Sequence, residues 1–571
     1  MPLEFLYLYS DCSAIHIAME LFPDKSYSQV VASLRDIGYR EDLIYEGYTF
    51  VDWFNTHTPL RQIAAAAFGQ TPPSYDSAVI GVVCANGLRE QALIDQHRAF
   101  GAPIIIEIDA HEIREWAVSA QQGRHEIIDR YPIDKIRDVL TDRAPAWQPP
   151  NLLRTKNLGA FHWTYQLGLF AGLLPELEEQ IQAKLEPLLK ETLSVARSAY
   201  TAETGREPDA TQLFKLAFWL LTAKVFKDRR VPSFIKLGPD PDVLLEAIAR
   251  HYRTRVPRFL TRRAREEAAK FIWTILDFRN LSVEVLSQLW ATFLLDAETR
   301  RRLGIYRTSR TIVRYILERT PFAHHGNDER IIFEPCSGSA GFLIGAMNKL
   351  RPGLFGMSGA QRHQYFRKHL AAMETEALGI EISRLALTLA DFPNSNSWDI
   401  APRDVFEPGA MADYLKRSSV VFCNPPFGEF EAHERIKYQV QSPYKAVELL
   451  NRVLNDLPED GVLGFVMPRA LIDGQSYKTI RRRLAERFGT LDVTALPDRA
   501  FENASAETCL LVASEPIPHK TCRVAYRKVS DSAQDWWRFV LRHELSFTHE
   551  AEFHPAEAEE RLAIPDLPQL W

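Results

Sequence analysis

At about 150 residues per domain, a chain of 571 residues has room for three or four domains. Its 46% hydrophobic and 25% charged residues are those of an ordinary globular protein, which excludes collagen-like, disordered and disulfide-scaffold classes. The formal charge of −6 gives no global attraction to nucleic acid or acidic membranes, so any such surface must be local.

The opening MPLEFLYLYSDC carries Glu4 and neither a basic segment nor a cleavage site, so no secretory signal is expected. No apolar run approaches the roughly 18 residues that a membrane span needs, and a cytoplasmic protein without membrane contact is expected. The six cysteines, at 12, 84, 336, 423, 509 and 522, include no CxxC pair, which predicts reduced thiols and no bound metal.

Residues 1–142 mix short apolar runs (FLYLY, AVIGVVCA over 78–85, PIIIEI over 103–108) with helix-like stretches, predicting a small α/β module that serves for docking. Asp76, Glu107 and Asp109 fall near predicted strand ends, as in a nuclease, but the lysine such a site wants two residues after Glu107 is an aspartate. The proline-rich stretch 143–150 reads as a linker. Residues 155–320 carry apolar positions every three or four residues, as in LLPELEEQIQAKLEPLLKETL and QLFKLAFWLLTAKVF, and predict an α-helical domain.

Over 321–515 the texture changes to short β-rich runs, RIIFEP, LGIEI, SVVFCNPP, VLGFVMP and TCLLVAS, with helical segments between several of them. That alternation predicts an α/β domain built on a doubly wound sheet. Residues 516–571 give no clear fold signal and are taken as a C-terminal extension.

Three elements of the sheet domain carry chemistry. In Ile331-Ile-Phe-Glu-Pro-Cys-Ser-Gly-Ser-Ala-Gly-Phe-Leu343 a strand runs through small residues into a helix, where Gly338 and Gly341 let a ligand approach the backbone and the helix amides. Taken alone, this is equally an ordinary strand-to-helix connection. Leu378-Gly-Ile-Glu-Ile382 is predicted as a strand whose acid, Glu381, can accept both hydroxyls of a ribose; taken alone, it is a solvated strand-end acid.

The third element, Val420-Val-Phe-Cys-Asn-Pro-Pro-Phe-Gly428, is a buried strand stopped by two prolines, which remove two donors and turn the chain out of the sheet. The Asn424 side-chain oxygen and the Pro425 carbonyl can accept both protons of an exocyclic amine, and Phe427 can stack on the ring that bears it. An isolated NPPF is more simply a rigid turn with a core phenylalanine; the other two elements, in order upstream, favour a pocket for an amino-substituted base.

In this order the three elements resemble the N6-adenine DNA methyltransferases with the gamma-type arrangement, in which the S-adenosylmethionine site precedes the catalytic motif. They are most similar to the modification subunit of type I restriction systems and its type IIG relatives. Gly304-Ile-Tyr-Arg-Thr308 resembles the family's GxYxT segment, and 456–468 and 496–501 resemble its later strands, so the likeness spans about 160–515. This chain departs from the pattern at Ala340, where a second glycine is usual, at Ser309, where a proline commonly follows, and at Glu334, commonly Asp.

The resemblance implies that Glu334, Pro335, Cys336, Ser337, Gly338 and Gly341 hold the methionine part of the cofactor, with Glu381 on its ribose. Ile382 would pack on its adenine, Asp404 would bond near that base, Tyr306 and Thr308 would close the site, and Asn424 would border the cofactor as well as the target. Asn424, Pro425, Pro426 and Phe427 would receive a flipped adenine of double-stranded DNA in a restriction-modification or phage-defence system. RNA or protein-amide methylation, and a cofactor- or DNA-binding defence subunit without transfer activity, stand as alternatives.

Seven arginines and no acid lie in the 16 residues 250–265, and Arg253, Arg255, Arg258, Arg262 and Arg263 are expected to contact phosphates. Lys478, Arg481, Arg482 and Arg483 form a weaker second cluster. About 55 residues after Ser514 are too few for the family's usual recognition domain, so a separate specificity subunit or another defence-system subunit is expected as a partner, unless the N-terminal module supplies specificity.

Overall fold

The computed structural model describes residues 24–553 apart from 86–89, 110–111, 159–171, 253–254, 257–259, 275–276, 283–284, 286–307, 323–329, 355, 393, 395–396, 498–499, 501–506, 517–521, 531, 533–534, 537–538, 540–544 and 546. The FLYLY run lies outside the described residues. The chain forms two compact units, Met1–Val285 and Leu286–Trp571.

In the first unit, helix α1 (Asp24–Asp36) precedes a six-stranded sheet in simple chain order. Its strands are β1 (Ile44–Val51), β2 (Leu60–Phe68), β3 (Ala78–Cys84), β4 (Ile104–Ile108), β5 (Glu112–Ala117) and β6 (Glu126–Pro132). Only β3 and β4 pair in parallel, and the short helix α2 (Glu90–Asp95) lies between them in the chain. These two strands are buried almost throughout, which is why AVIGVVC and IIIEI read as continuous apolar runs. Strands such as EIREWA, with charged residues between the apolar ones, gave no comparable run.

The expected linker at 143–150 is corrected to two helices, α3 (Ile136–Trp147) and α4 (Pro149–Leu158). Pro145 falls in the last turn of α3, and the prolines at 149 and 150 open α4, where a missing N–H costs no helical bond. Lys156 of α4 donates to the carbonyls of Tyr75, Ala78 and Gly101 at 2.5, 2.6 and 2.7 Å, tying the helix to the sheet. The periodic segments are helices as predicted: α5 (Leu173–Thr204), α6 (Ala210–Asp228), α7 (Pro241–Tyr252) and α8 (Arg262–Thr274). In α5 the buried stripe Leu173, Leu177, Ile181, Leu185, Leu189 recurs every fourth residue.

The second unit is a nine-stranded sheet with helices on both faces. Its strands are β7 (Ile331–Glu334), β8 (Leu370–Met373), β9 (Asp399–Ala401), β10 (Ser418–Cys423), β11 (Val462–Pro468), β12 (Phe488–Ala495), β13 (Thr508–Pro516), β14 (Cys522–Lys528) and β15 (Phe547–Phe553). They lie in the order β15-β14-β12-β13-β11-β10-β7-β8-β9, in which β11 through β9 are parallel and β13 runs against both neighbours.

Alternate residues of each strand serve opposite faces. Phe333, Val421, Leu463 and Leu511 join one core with Leu449, Leu450 and Val453 of helix α13 (Lys445–Asp456) and Ile480 and Leu484 of α14 (Lys478–Arg487). On the other face Phe422 stacks on Phe342 of α10 (Gly341–Leu350) with ring centroids 5.4 Å apart. There too the Tyr315 hydroxyl of α9 (Arg310–Arg319) lies 2.8 Å from Thr494 Oγ1.

Two expectations are corrected. Leu378-Gly-Ile-Glu-Ile382 is not a strand but part of helix α11 (Ala377–Ala390); the apolar run ALGIEISRLALTLA fits either period over a short window, and its length decides for a helix. The sheet also continues past 515 through β14 and β15, where Cys522, Val524, Ala525 and Tyr526 of β14 are buried.

Candidate active site

The chain leaves β7 for β8 and β9 on one side, then returns to place β10 on the other, so the strand order reverses between β7 and β10. In open α/β sheets the crevice beyond the strand ends at such a switch point is where ligands bind. Both sequence signals end there: Glu334 is the last residue of β7 and Cys423 the last of β10.

At the β7 end, the Glu334 carboxylate turns back to accept from the amides of Phe342 (3.4 Å) and Leu343 (3.1 Å) at the start of α10. It is 3% exposed, and burial pushes its pKa up to about 8; the two amides pull it down, and the nearby Glu374 carboxylate adds to the rise. Glu334 therefore fixes the direction in which the turn leaves the sheet.

The Gly338 amide donates to Glu374 Oε2 at 2.8 Å, and the Ser337 amide to the Met373 carbonyl at 3.0 Å. Ser383 Oγ of α11 donates to the Gly338 carbonyl at 2.9 Å and lies 3.1 Å from Ser337 Oγ. Gly338 has φ +51° and nothing within 4 Å of where a Cβ would stand, so the backbone is open to a ligand on that side.

Ala340, at φ 57° and ψ 36°, is left-handed and fully buried. That conformation costs an L-residue roughly 1–2 kcal/mol. Replacing it with glycine would relieve the strain but lose a buried methyl worth about 0.8 kcal/mol and add chain entropy of about 0.4–1 kcal/mol. The terms nearly cancel, so Ala340→Gly is expected to change stability by less than about 1 kcal/mol, as measured by denaturant unfolding. A larger gain would mean that the alanine is under more strain than its dihedral angles imply.

The strand-end acid is Glu374, one residue past β8, and not Glu381, which sits within α11. Glu374 Oε1 accepts from the amides of Thr375 (2.9 Å) and Glu376 (3.0 Å) while Oε2 takes Gly338. Gly379 makes this placement feasible: a Cβ there would come within 2.8 Å of Glu374 Cγ and 2.9 Å of its Cδ. Ile382 is buried in α11. Sequence reasoning passed over Leu370-Ala-Ala-Met-Glu374 because it holds no β-branched or aromatic residue, although four apolar residues ending in an acid were the available signal.

At the β10 end every strand residue is buried, and the chain turns out at Asn424-Pro425-Pro426-Phe427. Asn424 Nδ2 donates to Thr308 Oγ1 at 3.0 Å, which orients the amide with Oδ1 as its acceptor end. Phe427 is half-buried against the core, and Gly428 has φ +101°. Burial pushes the Cys423 thiol well above its usual range, so it is an inert filler and not a nucleophile. Beyond β9, Asp404 Oδ1 accepts from the Phe406 amide (2.9 Å) and Oδ2 from the Tyr438 hydroxyl (2.7 Å). Tyr306 lies outside the described residues.

The basic clusters are less bare than the sequence implies. Arg265 pairs with Asp242 at 2.9 Å and Arg262 with Glu266 at 2.8 Å, while Arg255 and Arg263 are exposed. Arg253 and Arg258 lie outside the described residues. In the second cluster Arg481 is buried and donates to the carbonyls of Leu471 and Gly474, and Arg483 donates to Asn451 and Asn455. Those side chains hold α14 in place. In the N-terminal sheet, Glu107 and Asp109 both bind Arg114, at 3.0 and 2.8 Å. Among the described residues no cluster of His, Cys, Asp and Glu is arranged to hold a metal, and no helix is long and apolar enough to cross a membrane.

The family model for N-6 DNA methylase matches residues 283–529. Among solved structures, a modification subunit of Vibrio vulnificus YJ016 assigned to a type I restriction enzyme is 15% identical, with 65% of this chain and 93% of that chain covered and a TM-score of 0.49. The methyltransferase subunit of a type I restriction-modification system from Streptococcus thermophilus is 12% identical, with coverage of 66% and 97% and a TM-score of 0.41. The DrdV protein, solved in complex with DNA, is 14% identical over 93% of this chain and 60% of its own, with a TM-score of 0.43. No curated protein matches the sequence.

Proposed function

We propose, from the match of residues 283–529 to the N-6 DNA methylase family, that the chain transfers a methyl group from S-adenosylmethionine to the N6 amine of adenine in DNA. The observation that carries this reading is the meeting of the Asn424-Pro-Pro-Phe427 turn with the Gly338 turn at the switch point of one sheet.

The residues present suit the cofactor. Glu374 is a strand-end carboxylate held by three amides, in the position of a ribose acceptor, and the open side of Gly338 admits the methionine part. Ile382 and Asp404, reached from α11 and the β9 end, are the candidates for its base. When bound, the cofactor supplies an electrophilic methyl group on a sulfonium.

The chain's own part is to position the nucleophile. Asn424 Oδ1 and the Pro425 carbonyl accept the two N6 protons, which turns the nitrogen lone pair out of the ring's conjugation and toward the methyl group. Phe427 replaces the stacking that the adenine loses on leaving the duplex, Pro426 keeps the turn rigid, and Thr308 holds the Asn424 amide in the accepting orientation. No residue has to act as a general base before transfer. A specificity subunit of a restriction-modification or defence system would choose the target sequence. Expression, together with any specificity subunit it requires, in a host that lacks N6-methyladenine, followed by nucleoside analysis of its DNA, tests the reading: the modified nucleoside should appear with the wild type and disappear with Asn424→Ala.

Arg255, Arg262 and Arg263 are the exposed candidates for binding phosphate. Changing the three together to alanine should flatten log affinity against log salt by about 0.9 for each phosphate no longer neutralised, with sequence preference retained. Arg262 is already paired with Glu266, so a salt titration is expected to show a smaller change than three free arginines would give.

A further inference from the structure

The segment that follows the Asn424–Phe427 turn leaves it and comes back to it. Glu429 bridges Tyr444, the Phe430 amide donates to the Pro443 carbonyl at 2.9 Å, and the Lys445 amide to the Gly428 carbonyl at 3.0 Å. Between these ties runs the short helix α12 (Ala432–Tyr438).

Its underside is firmly held. Tyr438 and Phe430 are buried against Phe406, with ring centroids 6.0 and 4.8 Å away, and the Tyr438 hydroxyl bonds Asp404. Arg452 donates to the carbonyls of Phe406 and Tyr438 at 2.6 and 2.7 Å, and Glu448 accepts from the amides of Gln441 and Ser442. Glu434 and Tyr438, one helical turn apart, face inward; His433, Arg435, Ile436 and Lys437 are exposed.

Ile436 is 81% exposed, whereas the next most exposed large apolar side chain among the described residues, Ile235 of the first unit, is 47%. Among the described residues of its own unit it is the single exposed large apolar side chain. A rigid, well-packed support thus holds an isoleucine out in water, where folding alone favours a polar residue. A protein partner would want a contiguous apolar patch, and among the described residues of this unit no other large apolar side chain is exposed to extend one from Ile436. Glu429 pairs with Arg435 at 3.5 Å and Glu434 with Lys445 at 3.2 Å, while the exposed Lys437, next to Ile436, rests its ammonium over the Tyr438 ring at 4.5 Å and donates to the Tyr438 hydroxyl at 3.1 Å, so that a positive charge is held at the surface beside Ile436. A lone aliphatic side chain next to a cation, on a segment pinned at both ends to the turn that receives a base, is suited to entering a base stack.

We propose that Ile436 is the wedge that fills the duplex stack at the place vacated by the flipped base, with Lys437 on the adjoining phosphates. This rests on the DNA methyltransferase reading above. The test measures labelled methyl transfer by the full chain, together with any specificity subunit it requires, to one unmethylated DNA preparation, supplied as duplex and after heat denaturation, so that no target sequence need be known. A wedge is needed only where there is a stack to open. Ile436→Ala is expected to lower the duplex-to-single-strand activity ratio at least about tenfold. Ile436→Leu, which keeps the bulk, should restore most of that ratio. Because the side chain is exposed, melting temperatures of both variants should match the wild type. A duplex-to-single-strand ratio for Ile436→Ala within about twofold of wild type overturns the wedge and points to a protein contact, while the methyltransferase reading stands. A wild-type chain that transfers to neither form overturns both.

Discussion

Asn424→Ala is expected to lower methyl transfer by about 10²–10³-fold, the range seen when one acceptor or donor that acts mainly in a transition state is removed. Affinity for S-adenosylmethionine should stay within about threefold, since the proposed partner of the amide oxygen is the target amine and not the cofactor. The prediction is sharp because Asn424 is anchored at both ends: β10 is buried along its whole length, and Thr308 Oγ1 takes the amide nitrogen at 3.0 Å. Removing the side chain deletes an acceptor without unseating the strand. Single-turnover transfer and calorimetric titration on the same preparation separate the two effects. Near-normal turnover would sink the catalytic assignment, and a large fall in cofactor affinity would move Asn424 to the cofactor side of the crevice.

The second large effect concerns the ribose acid. Glu374→Ala should weaken cofactor binding at least about tenfold, because a hydrogen bond to a charged acceptor contributes roughly 1.5–3 kcal/mol. Glu381→Ala should leave affinity within about threefold, as expected for a helical residue away from the strand end. Gly379→Ala provides an independent check: its methyl would stand 2.8 Å from Glu374 Cγ and displace the carboxylate without altering its charge. A calorimetric result in which Glu381→Ala is the damaging variant would return the role to the helix.

The sequence makes the second unit's α/β character legible through β7, β10, β11 and β13, because strands buried on both faces must be apolar throughout and so stand out as runs. β8 and β9 do not stand out: LAAM and DIA are three or four residues long and hold almost no β-branched side chain, so tertiary pairing alone makes them strands. That gap carried directly into the site. With β8 unseen, Glu381 is the nearest acid in an apolar run, whereas the acid at the strand end is Glu374.

The β10 turn was legible because two consecutive prolines act on the backbone itself, whatever the neighbours. Charge clusters were legible only as counts. Whether Arg262, Arg265 or Arg481 faces solvent depends on Glu266, on Asp242 and on the carbonyls of Leu471 and Gly474, and all of these partners except Glu266 lie beyond the neighbouring helical turn. In the same way, the exposure of Ile436 could not be read from AHERIKY, since it follows from which side of a seven-residue helix the ring of Tyr438 anchors.

The central claim is that one crevice, between the β7 and β10 ends, brings a methyl donor to an exocyclic amine. The most direct measurement uses the purified chain, together with any specificity subunit it requires, and S-adenosylmethionine carrying an isotopically labelled methyl group. DNA, RNA and protein acceptors are offered in parallel, and the products are digested and resolved by mass spectrometry. The account predicts label in N6-methyldeoxyadenosine from the DNA and loss of that label with Asn424→Ala. Label on RNA or on a protein amide, or none on DNA while the cofactor binds, would contradict it.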